Sequence, residues 1–592
     1  MSWGWRTKPR SIIKTIEWFK FFADLENENW DYTSNNLSAN GRTIHPVRRK
    51  YYFNAQREED ISSPIYGVSF SDYMDGIKDG SADSESNARN DLATYKFFGF
   101  GYIDENGSIK VTKAGKLIAS NKFDSEMFLK QLLKLNFPSL STGYGKNIPF
   151  GKRVYPLEII MKLLFDLEYI NRYELAYTFL CNDILEYEIV LNSIKEFRES
   201  YTNLTNKNDR AKCVKIFKEI AEKNFKFPED GDVGTLFTMG DAVNRALEFT
   251  RLFDISGRGN YTKIRIAEYS RKKVELLNSK YRFHTIETSD LDEYMNWYGD
   301  LDNIILPWEN KDDRKNLIID KIELLDKTIH IANDRYSLEL QMNFGEMYSK
   351  VKDLSTPTEL KLFEEELIEK LTTLNEDIFV RYTSKNKNIR EEISHKFDDI
   401  ISGNEDMAAL WLECNTWKSL VAIDGDKIVK RNFEIEEDLT PKSFAPGKNN
   451  TADMELYTEN DILIPEVSLM SGVQQWEHEG SSVIDHVLKY INNSEEKNVY
   501  GLFISKSINI RTNWQFFILN KESWMGKPVP VVPLTIKQYN DITKFMYENS
   551  IDISKFIELI KTIHLEAITS QDYNSWSSSY NKLINNWKEN LV

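Results

Sequence analysis

Cysteine is scarce in this chain: Cys181, Cys213 and Cys414 are the only three in 592 residues. They lie far apart, with no CxxC pair and no cluster with histidine. That spacing excludes a disulfide framework and a zinc-finger module, and it suits a reducing cytosol. Long hydrophobic runs are missing too, since no apolar stretch approaches the roughly 20 residues that cross a bilayer. The opening segment, "MSWGWRTKPRSIIKTIEWFK", carries charges where a secretion signal needs an apolar stretch. We therefore expect a cytoplasmic protein with no membrane partner. Net positive charge is also lacking: the chain carries −16. Taken alone, that counts against a polyanionic partner, because phosphate binding rests on lysine and arginine releasing counterions.

Net charge is an average, and local patches decide. "GRTIHPVRRK" (41–50) carries Arg42, Arg48, Arg49 and Lys50 against no acid, and "KVTKAGK" (110–116) adds Lys110 and Lys113. Each run reads either as a solvated surface or as a phosphate-binding patch. Hydrophobic residues at 41% and aromatics at 13% are enough for real cores. At about 150 residues per domain the chain holds three or four.

Organisation follows from pattern. In "NARNDLATYKFFGFGYIDENGSIKVTKAGKLIASNKF" a short helix leads into two apolar runs flanking Glu105-Asn106-Gly107. An Asn-Gly turn there predicts a hairpin, both residues accepting positive φ. A helix feeding a hairpin is the outline of a winged helix. It recurs at 241–270, where Val243, Ala246, Leu247 and Thr250 share a helical face and "LFDI" and "KIRIA" flank the Gly-rich "SGRGNY" with Arg258. Such units place a helix in the major groove and a wing on the backbone, or serve merely as packing units. From about 300 to 400 the pattern is helical and charged. Ile318, Ile322, Leu325 and Ile329 form one stripe, and Leu360, Phe363, Leu367, Leu371 and Leu374 another. Thr356, Pro357 and Glu359 predict a capping box. Beyond 395, strands and helices alternate, indicating an α/β or mixed-sheet domain.

One carboxylate stands out. In "DILIPEVSLM" Glu466 sits among Ile462, Leu463, Ile464, Val467 and Leu469. An ionised acid in a strand covered on both faces costs several kcal/mol unless paired or bound to a metal. Asp453, at the head of the preceding strand, is placed to meet it. Two carboxylates at one point repel, and an oxygen-seeking cation such as Mg²⁺ relieves the repulsion. Acid, spacer, then acid-x-polar is the outline of the PD-(D/E)xK nucleases. Ser468 stands where that outline most often has lysine. A salt bridge to a helix lysine accounts for Glu466 equally well.

The segment "FAPGKNNTADMELYTENDILIPEVSLMSGVQQWEHE" resembles the catalytic segment of the AlwI/BstNBI-like type IIS restriction endonucleases, a group that includes nicking enzymes. The likeness extends through "YGLFISKSIN", "VPLTIKQYN", "FFGFGYIDENGSIKVTKAGKLIASNKF" and "FLKQLLKLNFPS". It implies a multidomain α+β chain in a bacterial cytoplasm. Two winged-helix-type DNA-recognition segments (1–150 and 151–300) and a helical linker (301–390) would precede an α/β PD-(D/E)xK-like cleavage domain (391–592). Double-stranded DNA is the implied partner and Mg²⁺ the implied cofactor, with Mn²⁺ as a substitute. By position, the resemblance implies Asp453, Glu466, Glu479 and Glu413 as catalytic acids, the first three on the metal. Ala452 replaces a proline of the family's pattern, and the absent lysine is a family trait. Gln475 would share a helical face with Glu479, unless the helix starts later, at Gly480-Ser481-Ser482. Lys489 reads as a substitute charge or a solvated lysine, and His478 and His486 as incidental. Arg42, Arg48, Arg49, Lys50, Lys110, Lys113 and Arg258 are the expected DNA contacts. One cleavage domain implies either nicking or a second cut supplied by a transient homodimer or a small partner subunit. A non-catalytic winged-helix regulator is the alternative of another class.

Overall fold

The computed structural model describes the chain apart from residues 10, 36, 39–40, 57–64, 78–83, 205–208, 258, 426–427, 445–450, 495, 522–525 and 591–592. It divides into two compact units. One comprises Met1–Ile255 with Thr262–Leu317, the other Ser256–Tyr261 with Ile318–Val592. No helix among the described residues is long and apolar enough to cross a membrane.

In the first unit, helix Ser84–Phe97 leads into strands β1 (Gly101–Ile103) and β2 (Ile109–Val111), which pair antiparallel. The turn differs from the expected Asn-Gly pair in one respect. Only Gly107 takes a positive φ, 81°, while the Asp104 carboxylate accepts from the N–H groups of Asn106 and Ser108. The loop is a residue longer than a two-residue hairpin, with glycine in the left-handed position. Helix Lys113–Ala119 follows and packs back onto the hairpin. A Cβ on Gly115 would lie 2.2 Å from the Phe100 carbonyl, so that approach requires glycine. Phe19, Phe22, Tyr51, Tyr95 and Phe100 fill the core beside it.

The second helix–hairpin has a third strand that the sequence reading did not include. Strands β3 (Tyr169–Asn171), β4 (Phe253–Ser256) and β5 (Lys263–Ile266) form a sheet in the order β3-β5-β4. Helix Val233–Phe249 precedes β4, and Val243, Ala246, Leu247 and Thr250 are buried as their spacing requires.

In the second unit, the helices Lys311–Tyr336 (from Ile318) and Pro357–Ile378 bury the two expected stripes, Leu374 only partly. The Thr356/Glu359 capping box is present. Between these helices, Lys321 Nζ meets Glu364 Oε1 at 3.1 Å, with both side chains almost wholly buried.

Beyond them lies a sheet built from β6 (Ile428–Arg431), β9 (Met454–Tyr457), β10 (Asp461–Ser468), β11 (Asn498–Ser505) and β12 (Val531–Thr535). A small ladder, β7 (Glu434–Ile435) with β8 (Pro441–Ser443), lies apart from it. The sheet order is β12-β11-β10-β9-β6. β10 pairs parallel with β11 and antiparallel with β9, so the sheet is mixed. Alternation along β10 sorts its side chains. Leu463 joins a core with Trp417 and Leu420 of helix Ala408–Ile423. Ile462 and Ile464 face the other way, against Val483, Val487 and Ile491 of helix Gly480–Asn493. β10 is thus covered on both faces, and its even-numbered residues look toward one helix.

Candidate functional site

Glu466 is an even-numbered residue of β10, so it points to the side covered by helix Gly480–Asn493 and is only 5% exposed. The ladder between β9 and β10 pairs Ile462 with Tyr457 and Leu463 with Leu456. Continued in that register, it sets Asp453 across from Glu466. Pro465 has no N–H to donate, and the ladder stops before it. Past that point the two strands exchange different bonds. Val467 N–H donates to Asp453 Oδ2 at 2.9 Å, and the Asp453 N–H donates to the Glu466 carboxylate.

Both acids are electrostatically unsettled. Burial first, then the Glu466 charge, raises the Asp453 carboxyl well above the usual carboxylate range, with a smaller push from Glu479. Burial, then Glu479 and more weakly Glu413, does the same to Glu466. Among the described residues, no lysine or arginine forms an ion pair with either one. Glu455, next door on β9, shows what a settled buried carboxylate looks like. It accepts from Asn432 Nδ2 at 2.9 Å and from Lys430 Nζ at 3.2 Å. Despite its burial, these bonds and the hydroxyls of Tyr457 and Tyr490 hold it below the usual range.

Three further residues complete the cluster. Glu479 accepts from Ser468 Oγ at 2.9 Å, so the serine standing at the lysine position tethers an acid. Glu413 is buried on helix Ala408–Ile423, close enough to raise Glu466, and is therefore no surface acid. His486 Nδ1 lies 2.7 Å from Glu466 Oε1. Burial first, and Lys489 on the same helix, push this imidazole below its usual range, against Asp485 and Glu479. At that distance the imidazole and the carboxyl form a hydrogen bond along which a proton can pass. His486, incidental by its sequence spacing, is thus part of the cluster. The signal was present, since His486 follows Val483 by three positions and so shares the face that covers β10.

Gln475 has a different role from the one its spacing to Glu479 suggested. Residues Gly472–Asn493 form one continuous helical run, with a π turn at Gln475–Glu479. Gln475 is fully buried there. It donates to Met470 O, Ser505 Oγ and Ser507 O at 2.8–3.0 Å and accepts from Asn509 N–H at 2.7 Å. It pins the loop after β10 to the loop after β11. His478 is exposed, and Lys489 rests 5.9 Å from the Tyr490 ring.

The basic residues expected on the DNA separate into two groups. Arg48 and Arg49 are buried. Arg48 pairs with Asp31 and the Trp30 carbonyl, and Arg49 with Glu85 at 3.0 Å and the Tyr73 carbonyl at 2.7 Å. Their charges are spent inside the unit, so the 41–50 run presents no continuous basic block. Lys50 meets Glu28 at 2.9 Å, Lys110 meets Asp104 at 3.3 Å and Lys113 meets Asp300 at 2.6 Å, all within reach of solvent. Arg42 is exposed, and Arg258 lies outside the described residues.

A family model for the AlwI restriction endonuclease matches residues 97–542, three quarters of the chain and both units. The chain belongs to that family. This AlwI-family protein is thus a site-specific nuclease acting on double-stranded DNA, and the non-catalytic regulator is set aside. No curated protein matches it. Among the solved structures similar to it is the small subunit (R.BspD6I2) of the heterodimeric restriction endonuclease R.BspD6I. Identity is 19%, coverage is 33% of this chain and 97% of that one, and the TM-score is 0.28.

Proposed function

We propose that the enzyme binds a short asymmetric DNA site through its first unit and hydrolyses phosphodiester bonds at a fixed distance outside it, using Mg²⁺ held by Asp453 and Glu466. The observation that carries this reading is the pair itself: two crowded acids, each raised by the other acids of the cluster and neither paired with a lysine or arginine among the described residues. Such a pair fits a hard cation, which would remove the repulsion. Among the described residues no three His, Cys, Asp or Glu side chains form a metal cage. Mg²⁺ does not need one, because it is commonly held by one or two carboxylates and keeps most of its waters. When bound, it supplies Lewis acidity and an activated water.

The chain's own groups do the rest. Asp453 keeps part of its surface open to solvent, so a phosphate can reach it. Glu479, tethered by Ser468, stands in reserve beside the pair as a third acid. His486 and Glu466 hold a proton at Oε1 or Nδ1, where it can be taken up or released as charge develops nearby. In the first unit, the two helix–hairpin segments suit winged-helix recognition. Arg42, Lys110 and Lys113 are the solvent-accessible cations best placed to meet phosphates. The mixed sheet and its acid pair support a PD-(D/E)xK-like cleavage domain.

A second reading concerns outcome. Among the described residues we find one such carboxylate cluster, which favours one cut per chain: nicking, or a second cut made by a transient homodimer or a small partner subunit. Plasmid digestion with Mg²⁺, or with Mn²⁺ in its place, tests both readings. Sequencing the ends gives site, offset and strand. Open-circular product that persists supports nicking, and linear product whose rate rises with enzyme concentration supports the dimer. Binding without cutting in either metal overturns the proposal.

A further inference from the structure

Beside the acid cluster the surface carries large groups that folding does not explain. Trp476 precedes Glu479 by three residues on the same helical run and is 36% exposed. Trp514, at 51%, and Ile510, at 69%, stand out from helix Ile510–Lys521. Between them, the Arg511 guanidinium lies 5.5 Å from the Trp476 ring. No acid pairs with Arg511 among the described residues, and Lys506 nearby is exposed.

This arrangement is built into the fold. Gln475, immediately before Trp476, fastens its loop to Ser505, Ser507 and Asn509, two residues before Arg511. Gly480, one turn after Trp476, faces helix Ile510–Lys521, with the Gln515 side-chain amide lying against it. Arg511, Trp514 and Gln515 follow at helical spacing, so the same face of that helix turns toward Trp476 and Gly480. Two exposed indoles and an arginine are therefore held on the helical run that carries Glu479 and on the helix packed against it.

We infer that Trp476, Arg511 and Trp514 form a DNA-gripping rim that seats the strand to be cut. Arg511 takes a backbone phosphate, and the indoles lie against sugar and base surfaces, a contact every sequence offers. A polyanion matches the cations at the rim, and a surface that reads no sequence is what cutting outside a recognised site requires. The inference rests on the carboxylate reading of the cleavage site.

The test uses the full chain, a DNA fragment carrying its site, and Mg²⁺. W476A is expected to slow single-turnover cutting at saturating enzyme at least tenfold, with W476F recovering part of the loss. R511Q is expected to reduce the dependence of log rate on log salt by about one. Site binding in EDTA, governed by the first unit, should change less than threefold in both. A wild-type cutting rate and salt slope in W476A and R511Q overturn the rim. So does a defect in W476A that higher enzyme concentration abolishes, which would make the patch a contact between copies. Cutting by Asp453→Asn, with the rim intact, overturns the carboxylate reading and the inference with it.

Discussion

Asp453 and Glu466 are each held by a backbone N–H of the other's segment and not by a bond between their carboxyl groups. The Val467 N–H, beside Glu466, donates to Asp453 Oδ2 at 2.9 Å, and the Asp453 N–H donates to the Glu466 carboxylate. The bonds fix where the two acids stand without neutralising either, so the cluster is positioned yet remains short of positive charge.

Replacing either acid by its amide should abolish cutting while site binding survives. Asp453→Asn should also stabilise the metal-free enzyme, because it removes one of two repelling charges. A gain of about 1 kcal/mol would raise the melting midpoint by roughly 2–4 °C for a domain of this size. Thermal unfolding in EDTA, alongside plasmid digestion, checks both. Loss of DNA binding together with cutting would contradict the division of labour.

The same shifts set a pH dependence. A carboxyl raised in the folded state binds its proton more tightly there than in the unfolded chain. Its contribution is fully present below the unfolded value, near 4, and is lost as pH rises through the raised folded value. Metal-free stability should therefore fall with rising pH from the ordinary carboxylate range upward, at most about 1.4 kcal/mol per pH unit for each proton involved. Saturating Mg²⁺ should flatten the fall, and Asp453→Asn should reduce it. Denaturant midpoints across pH, with and without metal, measure this.

His486→Gln keeps a hydrogen-bond donor for Glu466 but cannot carry the proton. Cutting should slow by about 10²-fold, and the rate should lose the pH dependence that the lowered imidazole brings below its ordinary range. Single-turnover rates across pH decide. A wild-type profile in this variant would reduce His486 to a packing residue.

Arg42 and Arg49 should behave oppositely although they lie in one basic run. Arg42→Ala should weaken site binding and lower its salt slope by about one, with stability unchanged. Arg49→Ala leaves Glu85 with only His45 beside it and should cost about 3 kcal/mol of stability. Salt-titrated binding and chemical denaturation separate them.

What was legible in the sequence was local. The hairpin announced itself through Gly107, helix Pro357–Ile378 through Thr356 and Glu359, and the odd acid of an apolar strand through Glu466. What was not legible depended on elements meeting. Arg49 looked like surface until Glu85 and Tyr73 O closed on it, and the loop contacts of Gln475 depend on the segment after β11, which its spacing to Glu479 could not show. His486 is twenty residues from Glu466, and only the docking of its helix over β10 joins them.

The buried contact between Lys321 and Glu364 has a consequence for the helices that carry it. Sliding one helix past the other by a turn would strand both charges away from water, a cost of several kcal/mol. Two rods keyed at one point cannot telescope, so this stretch has a single setting, like a ruler with one mark. A constant displacement between the sequence read and the bond broken would call for a spacer of that kind.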